Sequence, residues 1–202
     1  MPTNIFDADL NVPADVYVVA PGPNGLAHIG RIPDDAFIIV VNKAIELPLK
    51  PRLWMCSEPL TGETEWFKNN IEANKGIACF WDKYFLQDYP DIAYYWEHEE
   101  PLLTEKNYAP AYRSLRRRAT IAGQAVQLAY WLGAERIILC GFDASGNTYF
   151  DSMPAGEGNS FKMREGDWWW VTRLMNPMIR YMETTGVEVV SLSKTALDVE
   201  VI

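Results

Sequence analysis

The stretch from Thr120 to Asp143, TIAGQAVQLAYWLGAERIILCGFD, restricts the possible folds more than any other part of the chain. Ile121, Ala125, Leu128 and Leu132 recur at helical spacing, and Ala122, Val126 and Ala129 widen the apolar stripe. Thr120 stands where an N-cap would, its hydroxyl able to accept from a free amide of the first turn. Gly133 stands where a left-handed residue stops a helix. The run Ile137, Ile138, Leu139, Cys140 is then continuously apolar, the pattern of a strand covered on both faces. It leaves through Gly141, Phe142 and Asp143. A helix feeding such a strand is the unit of a layered α/β domain, and the alanines allow the helix to lie close on a sheet.

The rest of the chain repeats this alternation. Apolar runs predict strands at 16–20, 37–41, 53–56, 77–81 and 187–192, the last of them closing the chain's regular structure. Helical patterns cover 61–73 and 167–185, the second with Pro177 as a point of breakage or kinking, and a short helix is expected at 26–30. Residues 1–14 read as a loose lead-in, and 83–118 as a variable, aromatic-rich insertion. Residues 147–166 read as a polar, glycine-containing loop of the length of a lid or binding loop. No repeat or linker divides the chain, so residues 1–202 are expected to form one domain. Its expected class is α/β, with a doubly wound, mostly parallel sheet in three layers.

Composition narrows the function. The net charge of −9 argues against nucleic acid as a partner. No apolar run reaches the length of a membrane span, and the N-terminus lacks the basic and apolar regions of a secretory signal. Cys56, Cys79 and Cys140 are odd in number and sit in apolar runs, as reduced core thiols of a cytoplasmic protein would. Two histidines, His28 and His98, are too few for a histidine-rich metal centre. Eight tryptophans exceed what a core of this size needs, which points to a pocket or an interface as well as burial.

In a doubly wound sheet ligands bind outside the carboxyl ends of the strands. The expected strand exits carry Asn24, Asn42, Ser57, Glu58, Asp82, Asp143, Ser191 and Ser193, residue types that also simply favour turns. The first exit, APGPNG, can offer backbone amides to a phosphate or reverse the chain, but is neither GxGxxG nor a Walker loop. Thr120 with the amides that follow forms a second anion site at a helix start, preceded by Arg113, Arg116, Arg117 and Arg118. Those arginines could equally balance the acids of 97–105. Asp143 could orient a donor, act as a base or cap the next turn. His28 could serve as a base or phosphate contact, and Tyr149 and Asp151 could reach the same pocket. No CxxC, HExxH or Ser/His/Asp order is present.

Gly22-Pro23-Asn24, Asn42, Thr120 with Ala122-Gly123, Leu132-Gly133, Ile138-Leu139, Gly141, Asp143 and Ser191-Leu192-Ser193 together resemble one group of enzymes. These are the small Rossmann-like bacterial sialyltransferases that use CMP-sialic acid. The pattern is equally similar to the related family that includes archaeal 6-hydroxymethylpterin diphosphokinase-like enzymes. It covers roughly 16–60 and 118–195. The resemblance implies a nucleotide over the strand ends, contacted by the first glycine turn and Asn42, with Thr120, Ala122, Gly123 and Arg117 at its phosphate. It implies a transferase of the glycosyltransferase kind with a CMP-sugar donor and no resident metal. Ser57, Glu58, Tyr149 and Asp151 would then belong to the acceptor side or a lid. Two alternatives stand beside it. One is a Mg²⁺-dependent pterin-type diphosphokinase with Asp143 and either Asp82 or Glu58 as hard ligands. The other is a non-catalytic nucleotide-binding or interaction protein, with the aromatics of 80–112 as the surface of a homo-oligomer. The chain departs from the sialyltransferases in having no histidine after His98, where their base lies.

Overall fold

A computed structural model describes residues 1–56, 64–81, 86–99, 108–109, 115–116, 120–144 and 169–202. In chain order the strands and helices are β1 (Thr3–Asn4), β2 (Asp15–Val19), α1 (Pro23–Leu26), β3 (Phe37–Val41), β4 (Leu53–Cys56), α2 (Glu65–Asn74) and β5 (Ala78–Trp81). They continue as β6 (Tyr94–Trp96), β7 (His98–Glu99), β8 (Leu115–Arg116), α3 (Ile121–Trp131), β9 (Arg136–Cys140), α4 (Trp169–Thr184), β10 (Glu188–Ser191) and β11 (Glu200–Val201).

The main sheet has the order β1-β6-β5-β4-β3-β2-β9-β10-β11. All of its pairings are parallel. From β2 the chain winds outward through β3, β4, β5 and β6, then returns to lay β9 on the other flank of β2. The order therefore reverses at β2, and the crevice outside the carboxyl ends of β3, β2 and β9 is the switch point of the sheet.

Alternate residues of each strand face opposite cores, as the two-residue period demands. Val16, Val18, Ile39, Leu53, Met55, Ile137 and Leu139 pack with α3 and α4, through Ala125, Leu128, Met175 and Ile179 among others. Val19, Ile38, Val40, Trp54, Phe80 and Ile138 pack with Trp66, Phe67 and Ile71 of α2. The result is three layers, helices on both faces of a twisted parallel sheet of the Rossmann-like kind. The expected strands at 37–41 and 53–56 fall on β3 and β4, and the helix capped by Thr120 and the strand after it fall on α3 and β9.

Four expectations need correction. The lead-in is structured: β1 pairs with β6, and Ile5 is fully buried just after it. The 83–118 stretch holds β6, which pairs with β5 and belongs to the main sheet. The final strand is β11, which pairs in parallel with β10 after a further turn. The short helix begins at Pro23 rather than Leu26, because proline at the first helical position has its φ preset and no N–H to lose. Pro177 lies inside α4, which runs on past it as one helix. Trp54, Trp66, Trp81 and Trp96 are core residues, and Trp169 is exposed. All three cysteines are buried and free. Among the described residues no helix is long and apolar enough to cross a membrane.

Candidate functional site

The site is built where the exit of β2 meets the exit of β9. Gly22 caps α1 with extended backbone and no side chain, and its N–H donates to the Gly141 carbonyl at 3.1 Å. The approach is so close that a Cβ on Gly22 would stand 2.8 Å from the Asp143 Cγ. Gly141 holds a left-handed φ of 72°, which an L side chain rarely adopts. Its amide donates to the Ser193 hydroxyl at 3.0 Å, which ties the β9 exit to the segment after β10.

Asp143 is then carried over the start of α1. Its Oδ2 accepts the Asn24 N–H at 3.0 Å, while its Oδ1 is buried with no hydrogen-bond partner among the described residues. Burial pushes the Asp143 carboxyl above its ordinary range, and the Asn24 N–H only partly offsets this. The Asn24 side chain donates to the Lys194 carbonyl at 3.3 Å. The Asn24 amide, expected to be open to a phosphate, is thus engaged by a protein carboxylate. Pro23 and Asn24 are exposed beside it.

Asn42 follows β3, on the other flank of β2. Parallel strands lie about 4.8 Å apart, so the exits of β3 and β9 are roughly 10 Å apart. Asn42 is 6% exposed and left-handed at a φ of 47°, a conformation asparagine tolerates better than most residues. Its carbonyl accepts the Trp54 indole N–H at 3.0 Å, and its side-chain Oδ1 is buried without a partner among the described residues. Two orphan side-chain acceptors therefore flank β2 at the ligand edge of the sheet. An acceptor left unmade in a buried place costs about 1–3 kcal/mol, which a donor on a ligand would offset.

Thr120 caps α3 as its position suggests, accepting the Gly123 N–H at 3.3 Å. The amides of Ile121 and Ala122, ahead of Gly123, have no acceptor within the helix. α3 packs on β2, β3, β4 and β9. His28 sits half-buried after α1, with its N–H on the Gly25 carbonyl. Ser191 and Ser193 are fully buried and serve the fold: the Ser191 hydroxyl donates to the Ser193 carbonyl at 2.7 Å.

Ser57, Glu58, Asp82, Arg113, Arg117, Arg118, Tyr149 and Asp151 lie outside the described residues, as do the side chains of His98 and Arg116. Among the described residues, His, Cys, Asp and Glu do not gather into a group that could hold a metal ion. Four buried polar residues escaped the sequence reading: Lys43, directly after Asn42, Thr64, just before α2, and Gln124 and Gln127 in α3. Their only signal in the sequence is a polar residue at a strand exit, before a helix and in an apolar helix face.

No protein-family model matches the chain, and no curated protein matches it in sequence. Solved structures do match its fold. Monofunctional α-2,3-sialyltransferase Cst-I from Campylobacter jejuni superposes with a TM-score of 0.58 at 14% identity, over 92% of this chain and 79% of that one. A single-residue variant of the sialyltransferase CST-II in complex with CMP gives 0.56 at 16% identity, over 89% and 81%. CST-II with a trisaccharide acceptor and CMP gives 0.54 at 15% identity, over 89% and 81%. The likeness to these sialyltransferases is one of fold, and they lend no support to the pterin diphosphokinase side of the resemblance.

Proposed function

We propose that this chain is a transferase of the glycosyltransferase kind that takes a nucleotide-sugar donor, with a cytidine monophosphate group as the nucleotide. One observation carries the reading. Asn42 and Asp143, just beyond the two strands that flank β2, each keep a buried side-chain oxygen without a partner among the described residues. Ribose hydroxyls and an exocyclic amine are donors of the size and polarity that would satisfy them. The fold shared with sialyltransferases crystallised with CMP supports the same choice of nucleotide.

In this reading Asp143 and Asn42 orient the donor. Thr120 and the Ile121, Ala122 and Gly123 backbone stand at its phosphate, where the α3 dipole favours negative charge. The first glycine turn, Gly22 to Asn24, walls the nucleotide from the β2 side. Transfer breaks the bond between the anomeric carbon and the phosphate oxygen, and the acceptor hydroxyl oxygen forms the new one. CMP leaves with the electron pair, and the helix start and Arg117 stabilise the departing charge. The hydroxyl proton passes to a base, for which His28 is the candidate. Ser57, Glu58, Tyr149 and Asp151 are assigned to the acceptor side.

The test is a thermal-shift screen with CMP, CDP, UDP, GDP and ATP, with and without Mg²⁺, followed by calorimetry. Stabilisation by CMP without Mg²⁺ is expected, since a ligand that binds only the folded state raises the melting temperature. Stabilisation by ATP alone, and only with Mg²⁺, overturns the reading. CMP binding with no transfer from CMP-sugars to any hydroxyl acceptor reduces the protein to a nucleotide-binding module.

A further inference from the structure

Trp169 is 61% exposed, although its neighbour Trp170 packs against the core. It opens α4, and the course of that helix puts it beside the candidate site. α4 ends at Thr184 and the chain enters the sheet at Glu188, the first residue of β10, so the helix runs back along its strand from the carboxyl edge. The Asn176 side chain, in the middle of α4, accepts the Asp198 N–H at 3.0 Å. Just before Asp198, the Ala196 N–H donates to the Asp143 carbonyl at 3.0 Å. Trp169 lies two turns of helix, about 10 Å, ahead of Asn176 and toward the ligand edge. The start of α4 therefore reaches past the strand ends, on the same face of the sheet as the start of α3.

The indole is held in place. The Arg173 guanidinium lies 5.7 Å from its ring centroid, a cation–π contact one turn along, and the Thr172 hydroxyl donates to the Trp169 carbonyl at 2.9 Å. The exposed apolar surface is one ring only. Thr172, Arg173 and Asn176 continue the same stripe of α4 and are polar, while Val171 and Met175 turn into the core. A protein or membrane partner needs a contiguous apolar patch, which this stripe does not offer. A sugar ring needs less: its C–H face covers an indole while its hydroxyls stay at the edge, in water. We propose that Trp169 is the stacking platform for the acceptor, and that it selects a hydroxyl carried on a sugar ring over the hydroxyl of an open-chain alcohol. The inference rests on the nucleotide-sugar reading above, in which the donor phosphate lies at the start of α3. The acceptor hydroxyl must be held beside that phosphate, and the start of α4 borders the same space.

Saturation-transfer NMR tests this with CMP and one added hydroxyl compound in the same tube: the methyl β-glycoside of galactose, glucose or N-acetylglucosamine, or glycerol. Wild type should pass saturation to the cytosine protons of CMP and to the C–H protons on one face of at least one glycoside, and not to glycerol. Trp169→Ala should lose the glycoside signal and keep the CMP signal. Trp169→Phe should keep a weaker signal on the same face. A glycoside signal that survives in Trp169→Ala, or a glycerol signal equal to the glycosides', overturns the proposal. If Trp169→Ala does not fold, Trp169→Gln decides, because it keeps a long side chain on the helix and has no ring; a retained glycoside signal there overturns the proposal too. A smaller assembly for Trp169→Ala in light scattering would make the ring a contact between copies of the chain, and also overturns it. Wild type with no CMP signal defeats the donor reading and this inference with it. Wild type with a CMP signal and no glycoside signal defeats the role of Trp169 alone.

Discussion

Asp143 Oδ2 accepts the backbone N–H of Asn24 at 3.0 Å from 119 residues away in sequence. The cap of α1 is therefore supplied by another strand's exit, because Gly22 at the cap position has no side chain to do it. One carboxylate oxygen closes the first turn while the other is left for a ligand. Structure and binding can be separated by substitution. Asp143→Asn keeps an acceptor for the Asn24 amide and removes a buried charge, so it should melt within a few degrees of wild type. Asp143→Ala removes the cap and should cost about 1–2 kcal/mol in denaturant unfolding. Both should lose at least about tenfold in nucleotide affinity by calorimetry, near 1.4 kcal/mol. An Asn variant that melts far lower and binds normally would make Asp143 a turn residue only.

The same carboxylate sets a pH dependence. Burial raises its folded pKa above the unfolded value of about 3.9, so between the two values the folded state holds more protons. Stability from this group is therefore greatest below the unfolded value and falls as pH rises through the folded one. Asp143→Asn lacks the slope. The difference in unfolding free energy, wild type minus Asn variant, should decline as pH rises from about 4 and then level off. A flat difference, or one that rises with pH, would contradict the burial of this charge.

Much of the fold was legible because its elements are local. Gly133 and the run from Ile137 to Cys140 carry their own stop and burial signals, and α3 and β9 lie where those signals put them. Two-residue and three-residue strands carry no such signal. Thr3–Asn4 and Tyr94–Trp96 become strands because a neighbouring backbone offers a ladder, which only the folded sheet shows. At the site, residue type and strand-exit position singled out Asn42 and Asp143, and the helix-start position singled out Thr120. The capture of the Asn24 amide by Asp143 depends on β9 lying beside β2, and chain order says nothing of that pairing. Lys43 was missed for another reason: a lysine after a strand reads as solvated until its burial is seen.

Thr120 joins a cap to the expected phosphate site, and its two roles differ in magnitude. Its Oγ1 accepts the Gly123 N–H, so Thr120→Val should lose about 1 kcal/mol of stability with the cap. A further loss of about 1–2 kcal/mol should appear in nucleotide binding, as for a hydrogen bond to a charged group. Thr120→Ser should restore both. Unchanged CMP affinity in a folded valine variant would remove Thr120 from the phosphate site.

Gly22 tests whether the close approach of the two exits is needed for the site to form. A methyl group there would meet the Gly141 carbonyl and stand 2.8 Å from the Asp143 Cγ. Both neighbours are held: Gly141 by its bond to Ser193, and Asp143 by the Asn24 amide. Neither is the free end of a flexible side chain, so the clash must be relieved by moving the first turn or the β9 exit. Gly22→Ala should cost about 1–3 kcal/mol, the range for overpacking a filled site. The φ of −68° at Gly22 suits alanine, so the loss comes from contact and not from backbone strain. Because the shift lands on Asp143, nucleotide affinity should fall together with stability, and Asp143→Asn should not add its full effect in the double variant. Fully additive binding losses would mean that the two exits act independently, and that the position of Asp143 is set by β9 alone.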